Sequence, residues 1–170
     1  MRNHSQNDLI WVSLGGNQGR VDDAFDDAIK RIRALSMPEI LESPRYWSDP
    51  WGKPGQPRFL NQVVGFYAEL EPIELMDYLH LIEAENGRDR DRETRWGPRP
   101  LDLDLLCWPG RSGTSGTLHL PHPRLHLRRF VLQPWADVGP QVVPCGLSQT
   151  VETLLEQCTD TGTIELCSPS

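Results

Sequence analysis

The segment Leu101-Asp102-Leu103-Asp104-Leu105 sets two carboxylates one residue apart among leucines. Side chains alternate between the faces of a strand, so Leu101, Leu103, Leu105 and Cys107 fall on one side while Asp102 and Asp104 share the other. Two carboxylates fixed side by side repel each other unless a cation or a proton lies between them. An oxygen-only pair suits magnesium, which takes one or two carboxylates together with substrate phosphates. An amphipathic strand with a solvated acidic face has the same pattern, so the pair needs support from its neighbours. Directly before it stands Arg95-Trp96-Gly97-Pro98-Arg99-Pro100, which brings an indole and two guanidiniums to the acids. Arginine grips phosphate oxygens in pairs and meets the charge that develops when a phosphoryl group moves. A flat indole can stack on a heterocycle or simply pack in the core.

The distribution of charge agrees with a polyanion. The 170-residue chain is net -7, yet nine of its 17 basic residues, all arginines, lie between positions 88 and 129 against five acids. That stretch is net +4 and the remainder -11. A general nucleic-acid binder needs broad positive charge, so its absence argues against that class, whereas a local arginine cluster on an acidic body suits a compact nucleotide or, without further motifs, simply a solvated, salt-bridged loop. The length predicts a single domain over residues 1–170, with a core over about 9–157 and a polar, loosely held tail over 158–170. With no apolar stretch long enough to span a bilayer and a polar start, the expectation is a cytoplasmic protein away from membranes. Cys107, Cys145, Cys158 and Cys167 show no paired spacing and read as reduced thiols.

The elements that position these residues follow from periodicity. Leu9 to Val12 reads as a buried strand ending at Leu14-Gly15-Gly16-Asn17. Val21, Ala24, Phe25, Ala28, Ile29, Ile32 and Leu35 recur at helical spacing and stop before Pro38. A second strand is expected over Ile40 to Trp47. The stretch Ser48 to Pro57, with three prolines and two glycines, is a long loop. Phe59 to Leu70 reads as a strand. Pro72 opens a helix with Ile73, Met76, Leu79 and Ile82 on one face, and Gly87 ends it. Leu101 to Cys107 is the fourth strand, giving the order β-α-β-β-α-β. This is an α+β, ferredoxin-like arrangement, an antiparallel sheet with two helices packed on one face. Trp108 to Thr117 reads as a linker or weak hairpin. Arg129 to Ala136 and Ser148 to Gln157 read as added helices, with Ser148 as a candidate cap.

Together these motifs resemble the 6-hydroxymethyl-7,8-dihydropterin pyrophosphokinases of folate biosynthesis, from about Leu9 to Gln157. The resemblance is carried by Gly15-Gly16-Asn17, by Pro50-Trp51-Gly52 with Gln56-Pro57-x-Phe59-Leu60-Asn61, and by Glu83 with Gly87-Arg88. It continues through Arg95-Trp96-Gly97-Pro98-Arg99-x-Leu101-Asp102-Leu103-Asp104 and Pro121-His122-Pro123-Arg124 to Arg128-x-Phe130. It implies an ATP-dependent transfer of pyrophosphate to the hydroxymethyl group of 6-hydroxymethyl-7,8-dihydropterin, with release of AMP and two magnesium ions on Asp102 and Asp104. Ser48, Trp51, Phe59, Asn61, Trp96 and Phe130 then match the pterin pocket. His80, Arg90, Arg99, His122 and Arg128 match ATP contacts, and Arg88 and Arg99 act with the acids in catalysis. The segments Ser48 to Pro57 and Arg88 to Trp96 match loops that close over substrates. ATP and the pterin are the expected partners of a monomer.

There are departures. Gly16 stands for a usual serine, which a turn tolerates because it needs small residues there. The arginine loop is one residue longer than in some relatives, which leaves Arg90 and Arg92 as alternatives for one phosphate contact. Thr117 and His119 replace residues near the nucleotide. Two other classes fit parts of the pattern: a nucleic-acid-binding module of the same topology, which lacks its aromatic motif here, and a metal-dependent hydrolase built on Asp102, Asp104 and His122.

Overall fold

A computed structural model describes residues 6–36, 40–116 and 118–168. Strand β1 (Ile10–Gly16) leads to helix α1 (Val21–Leu35), then to two short strands, β2 (Ile40–Glu42) and β3 (Tyr46–Ser48), and to β4 (Phe59–Phe66). Helix α2 (Pro72–Glu85), strand β5 (Asp102–Cys107), the hairpin β6 (Gly113–Ser115) and β7 (Leu118–Leu120), helices α3 (Arg129–Val138) and α4 (Val151–Glu156), and β8 (Ile164–Leu166) follow. The main sheet runs β5-β1-β4-β3-β8, with β2 also on β4, and every pairing is antiparallel. This is the expected ferredoxin-like order, enlarged at one edge and on one face.

The elements form for local reasons. Helix α1 turns Ala24, Phe25, Ala28, Ile29 and Ile32 inward and carries Asp22 and Asp23 in its first turn, where the helix dipole favours acids. Helix α2 starts at Pro72 behind a reciprocal Glu71–Glu74 capping box and ends at Asn86, ahead of Gly87 with φ 89°. One core layer lies between the sheet and these two helices, built on Val12, Leu14, Phe25, Ile32, Leu60 and Leu103. A second lies on the opposite face under α3 and α4, built on Trp11, Val63, Leu106, Val131, Leu132 and Trp135. Trp11 and Trp135 meet there with ring centroids 5.5 Å apart. Gly65 makes room for this pair, since a Cβ at that position would lie 2.6 Å from the Trp11 ring.

Several sequence expectations shift. The first strand continues through Gly15 and Gly16, and a Cβ on Gly16 would come within 2.6 Å of the Pro100 carbonyl oxygen. Gly16 is therefore a close-approach position in a strand, where a small residue alone does not suffice. The second strand breaks at Pro44, and the Ser43 hydroxyl accepts the Val63 amide hydrogen bond across the break (2.9 Å). Strand β4 stops at Phe66 rather than Leu70. On α2 the buried stripe is Leu75, Leu79, Ile82 and Glu83, which leaves Ile73 59% exposed. A register shift between β1 and β5 near Leu106 rotates Cys107 into the second core layer, away from Leu103 and Leu105. Thr150, not Ser148, caps α4 by accepting the Thr153 amide. The tail is no loose end, because β8 pairs with β3. Thr117 lies outside the described residues. None of the described helices is long and apolar enough to cross a membrane.

Candidate functional site

The second face of the sheet is covered by α3 and α4 along one half only. On the other half, β1 presents Ser13 and Gly15, β4 presents Asn61, and β5 presents Asp102 and Asp104. The register places Ser13 beside Asp104 and Gly15 between Asn61 and Asp102. These residues floor a cleft whose walls are Ser48, Trp51, Phe59, Trp96, Arg99, Arg128 and Phe130. Gly15 keeps the floor open, with nothing within 4 Å of where a Cβ would stand. The strand alternation read from the sequence is thus what aims both acids into one cavity.

Arginines bind the acids on every side. Arg88 Nη1 donates to Asp102 Oδ1 at 2.5 Å and to Glu83 Oε1 at 2.6 Å, while its Nε donates to Glu93 at 2.7 Å. Arg99 Nη1 reaches Asp102 Oδ2 at 3.2 Å. Arg128 Nη1 reaches Asp104 Oδ2 at 3.4 Å, and His122 Nε2 lies 3.7 Å from the same oxygen. Glu83 is buried at the end of α2, where it accepts the Leu103 amide (2.8 Å) between the two aspartates and also an Arg90 hydrogen bond. A helix acid thereby fixes Arg88, and through it Asp102, to the middle of β5.

The two carboxylates are not equivalent. Burial and the neighbouring Asp102 charge push Asp104 up to about 7, with Arg128 acting the other way. Burial also works to raise Asp102, but Arg88 and Arg99 outweigh it and hold the group below the usual carboxylate range. Burial and the Arg128 charge bring the His122 imidazole down to about 4, so it is neutral at physiological pH. Burial lowers Arg128 as well, although guanidinium stays charged.

The aromatic wall comes from two loops and α3. Trp51 and Trp96 meet edge to face with centroids 5.0 Å apart. Gln56 latches the loops by donating to the Trp96 carbonyl at 2.8 Å, and its own carbonyl oxygen accepts from Asn17 at 3.0 Å. Trp96 has φ 63°, a left-handed conformation that a bulky residue adopts only when its surroundings impose it. Arg128 lies over Trp51, Phe130 and Trp96, at 5.3, 5.7 and 6.0 Å from the ring centroids. The Asn61 amide donates to Ser48 Oγ at 2.9 Å, which orients it on the floor. A second, shallower hollow beyond Trp96 is lined by Arg90, Arg95, Arg99, Arg124 and Glu93.

Of the residues singled out from sequence, Ser48, Trp51, Phe59, Asn61, Trp96, Arg99, Asp102, Asp104, Arg128 and Phe130 line the main cleft. Arg88 and His122 touch its acids, and Arg90 lines the adjoining hollow together with Arg99. His80 sits partly exposed on α2 and lines neither. Between the alternatives for the phosphate contact, Arg92 is outward and pairs with Asp89 at 3.3 Å, while Arg90 faces the hollow. Sequence reasoning gave Glu83 no role, although its position in the Leu75, Leu79, Ile82 stripe was a signal, because an acid in step with buried apolar residues needs partners. Arg95 and Arg124 stand in the motifs read from the sequence but were given no contact of their own, and both line the hollow.

A cleft with an aromatic slot at one end and an arginine-bound carboxylate pair at the other is built to hold a flat ring compound beside a polyanion, as an enzyme of group transfer requires. Residues 11–140 match the family model of 7,8-dihydro-6-hydroxymethylpterin-pyrophosphokinase (HPPK). The chain belongs to this family. It is 39% identical to the 2-amino-4-hydroxy-6-hydroxymethyldihydropteridine pyrophosphokinase of Pseudomonas aeruginosa, over 78% of this chain and 82% of that protein. To the enzyme of the same name from Bacillus subtilis it is 36% identical, over 80% and 81%. A solved Plasmodium falciparum HPPK-DHPS with pteroate shares the fold, with a TM-score of 0.66 at 12% identity. That match covers 88% of this chain but 42% of the larger one, so the chain spans about two fifths of its length.

Proposed function

We propose that the chain transfers pyrophosphate from ATP to the hydroxymethyl group of 6-hydroxymethyl-7,8-dihydropterin, releasing AMP, as a step of folate biosynthesis. The observation that carries this reading is the meeting of the aromatic slot with Asp102 and Asp104 in one cleft of a family member. Phe59 and Phe130 hold the flat pterin from its two sides, and Asn61, oriented by Ser48, offers its amide to the ring edge. The hydroxymethyl oxygen is thereby directed toward the acids. It bonds to the β-phosphorus of ATP as the bond from that phosphorus to the oxygen bridging the α-phosphate breaks, and the hydroxyl proton is lost. Arg99, Arg128 and the arginine-lined hollow receive the phosphate charge, and positioning with charge neutralisation supplies the acceleration.

The donor set fits magnesium: two carboxylates on one strand face, one of them raised to about 7 by burial and its neighbour, as befits a pair short of positive charge. Asp102 and Asp104 would hold the metal, with two ions expected, and it supplies neutralisation of the phosphates when bound. Among the described residues no group of three or more metal-ligating side chains forms, so these two carboxylates are the donors the chain would supply. We read the chain as one domain, monomeric and cytoplasmic; the single sheet shared by both core layers supports the first of these. The test is incubation with ATP, magnesium and the pterin, resolving AMP from ADP. AMP formed only with the pterin present supports the reading. ADP, or phosphate released without a pterin, refutes it and favours a kinase or hydrolase.

A further inference from the structure

The segment that follows α4 lies beyond the residues 11–140 matched by the family model, and it reaches the back of the aromatic slot. One strand pairing and three hydrogen bonds fasten it there. Strand β8 pairs with β3 so that Ile164 stands opposite Ser48, and the Cys167 amide donates to the Arg45 carbonyl at 2.8 Å. The Asp49 amide, the first of the long loop, donates to the Thr163 carbonyl at 3.3 Å. Asp160 Oδ2 accepts the Arg129 amide at 3.1 Å, and its Oδ1 accepts the Gly162 amide at 2.9 Å. Arg129 is the first residue of α3 and sits between Arg128 and Phe130, both of which line the slot. Asp160, Gly162, Thr163 and Ile164 enclose a crevice against Ser48, Trp51 and Phe130. The segment therefore ties the strand that carries Ser48 to the helix start that carries Phe130. None of its residues lines the arginine hollow or the acid end of the cleft.

We propose that residues 158–166 form a strap that sets the width of the pterin slot, with Asp160 as a positioning residue for Phe130. This rests on the pyrophosphokinase reading. The strap acts chiefly on the pterin, because its contacts brace Ser48 and Phe130, whereas Arg128, next to Arg129, is also held at the phosphate end by Asp104 at 3.4 Å. Replacing Asp160 removes the acceptor of the Arg129 amide and frees the first turn of α3 to move relative to Ser48. An asparagine retains a carbonyl oxygen for that amide and gives up only the bond from Gly162, whereas an alanine keeps neither.

The test compares wild type, Asp160→Ala and Asp160→Asn as full chains in the AMP-forming assay, with KM for each substrate and a melting curve for each variant. For Asp160→Ala the pterin KM is expected to rise about fivefold or more, the cost of losing the hydrogen bond that ties the strap to α3, with the ATP KM within about twofold of wild type. Asp160→Asn should restore most of the pterin affinity. A pterin KM unchanged in Asp160→Ala overturns the proposal, as does an equal rise in both constants or a failure of asparagine to rescue. Should Asp160→Ala not fold, the pterin KM of Cys167→Pro, which removes the amide donated to the Arg45 carbonyl at the end of the strap and lies outside the cleft, decides in the same way: raised supports the strap, unchanged overturns it. Wild type that forms no AMP overturns the functional reading and this proposal together, whereas active wild type with indifferent variants overturns the strap alone.

Discussion

Asp102 and Asp104 are chemically alike and two residues apart, yet replacing each by asparagine should move stability in opposite directions. In the chelator-treated protein, Asp104 titrates near 7 against 3.8 for a free aspartate. Its proton is therefore bound more tightly in the folded chain, and stability falls as pH rises from about 4 through 7. A shift of this size corresponds to a ceiling of about 4 kcal/mol at 1.36 kcal/mol per unit. The side chain is 33% exposed, so solvent screening reduces this to about 1–2 kcal/mol. Asp104→Asn should recover that loss at pH 8, raising Tm by roughly 2–8 °C for a chain of this size, and should gain nothing at pH 4. Asp102 is the reverse case. Its depressed value means a stabilising charge that is present above pH about 4 and lost as pH falls through the folded value. Asp102→Asn removes the anion that Arg88 and Arg99 hold at 2.5 and 3.2 Å, so Tm should fall at pH 7. Differential scanning calorimetry at pH 4 and 8 without metal reads both effects. Equal shifts for the two variants, or a gain for Asp104→Asn that is the same at both pH values, would refute this account of the acid pair. Both variants should lose most metal-dependent turnover.

Other perturbations separate packing, protonation and substrate binding. Gly65→Ala would place a methyl group 2.6 Å from the Trp11 ring, and should cost about 1–3 kcal/mol, read as a lower denaturant midpoint with an unchanged slope. His122 should titrate in NMR spectra of the metal-free protein with a midpoint about 4. Because the unfolded imidazole binds its proton nearer 6.5, His122 costs stability as pH falls from there toward 4; a midpoint near 6.5 in the folded chain would mean its burial is misjudged. Phe59→Ala should weaken pterin binding about tenfold or more and nucleotide binding little, since ring stacking belongs to one half of the cleft. Arg99→Ala should lower kcat by about 100-fold with a small change in the ATP KM, as expected of a group that meets charge in the transition state. A pure rise in KM would contradict that role.

What the sequence made legible depended on how far each signal travels along the chain. The pairing of Asp102 with Asp104 is a two-residue period, and the helix over 21–35 is a 3.6-residue period; both are local, and both elements formed as read. Leu106 shows the limit. Its bulge is decided by β1 nearly a hundred residues earlier, so simple alternation assigned Cys107 to the wrong layer. The strap shows the same limit more sharply. Thr163-Ile164-Glu165-Leu166 is too short and polar to announce a strand, and it becomes one only because β3 leaves an open edge for it. Glu83 marks a third case, in which the acid was visible and its partners were not. Arg88 and Arg90 from the loop after α2 and the Leu103 amide from β5 converge on one buried carboxylate. Those convergences are also where the chemistry is set. A carboxylate on a strand becomes the depressed Asp102 or the raised Asp104 only through which arginines arrive beside it, and arrival is a property of the fold.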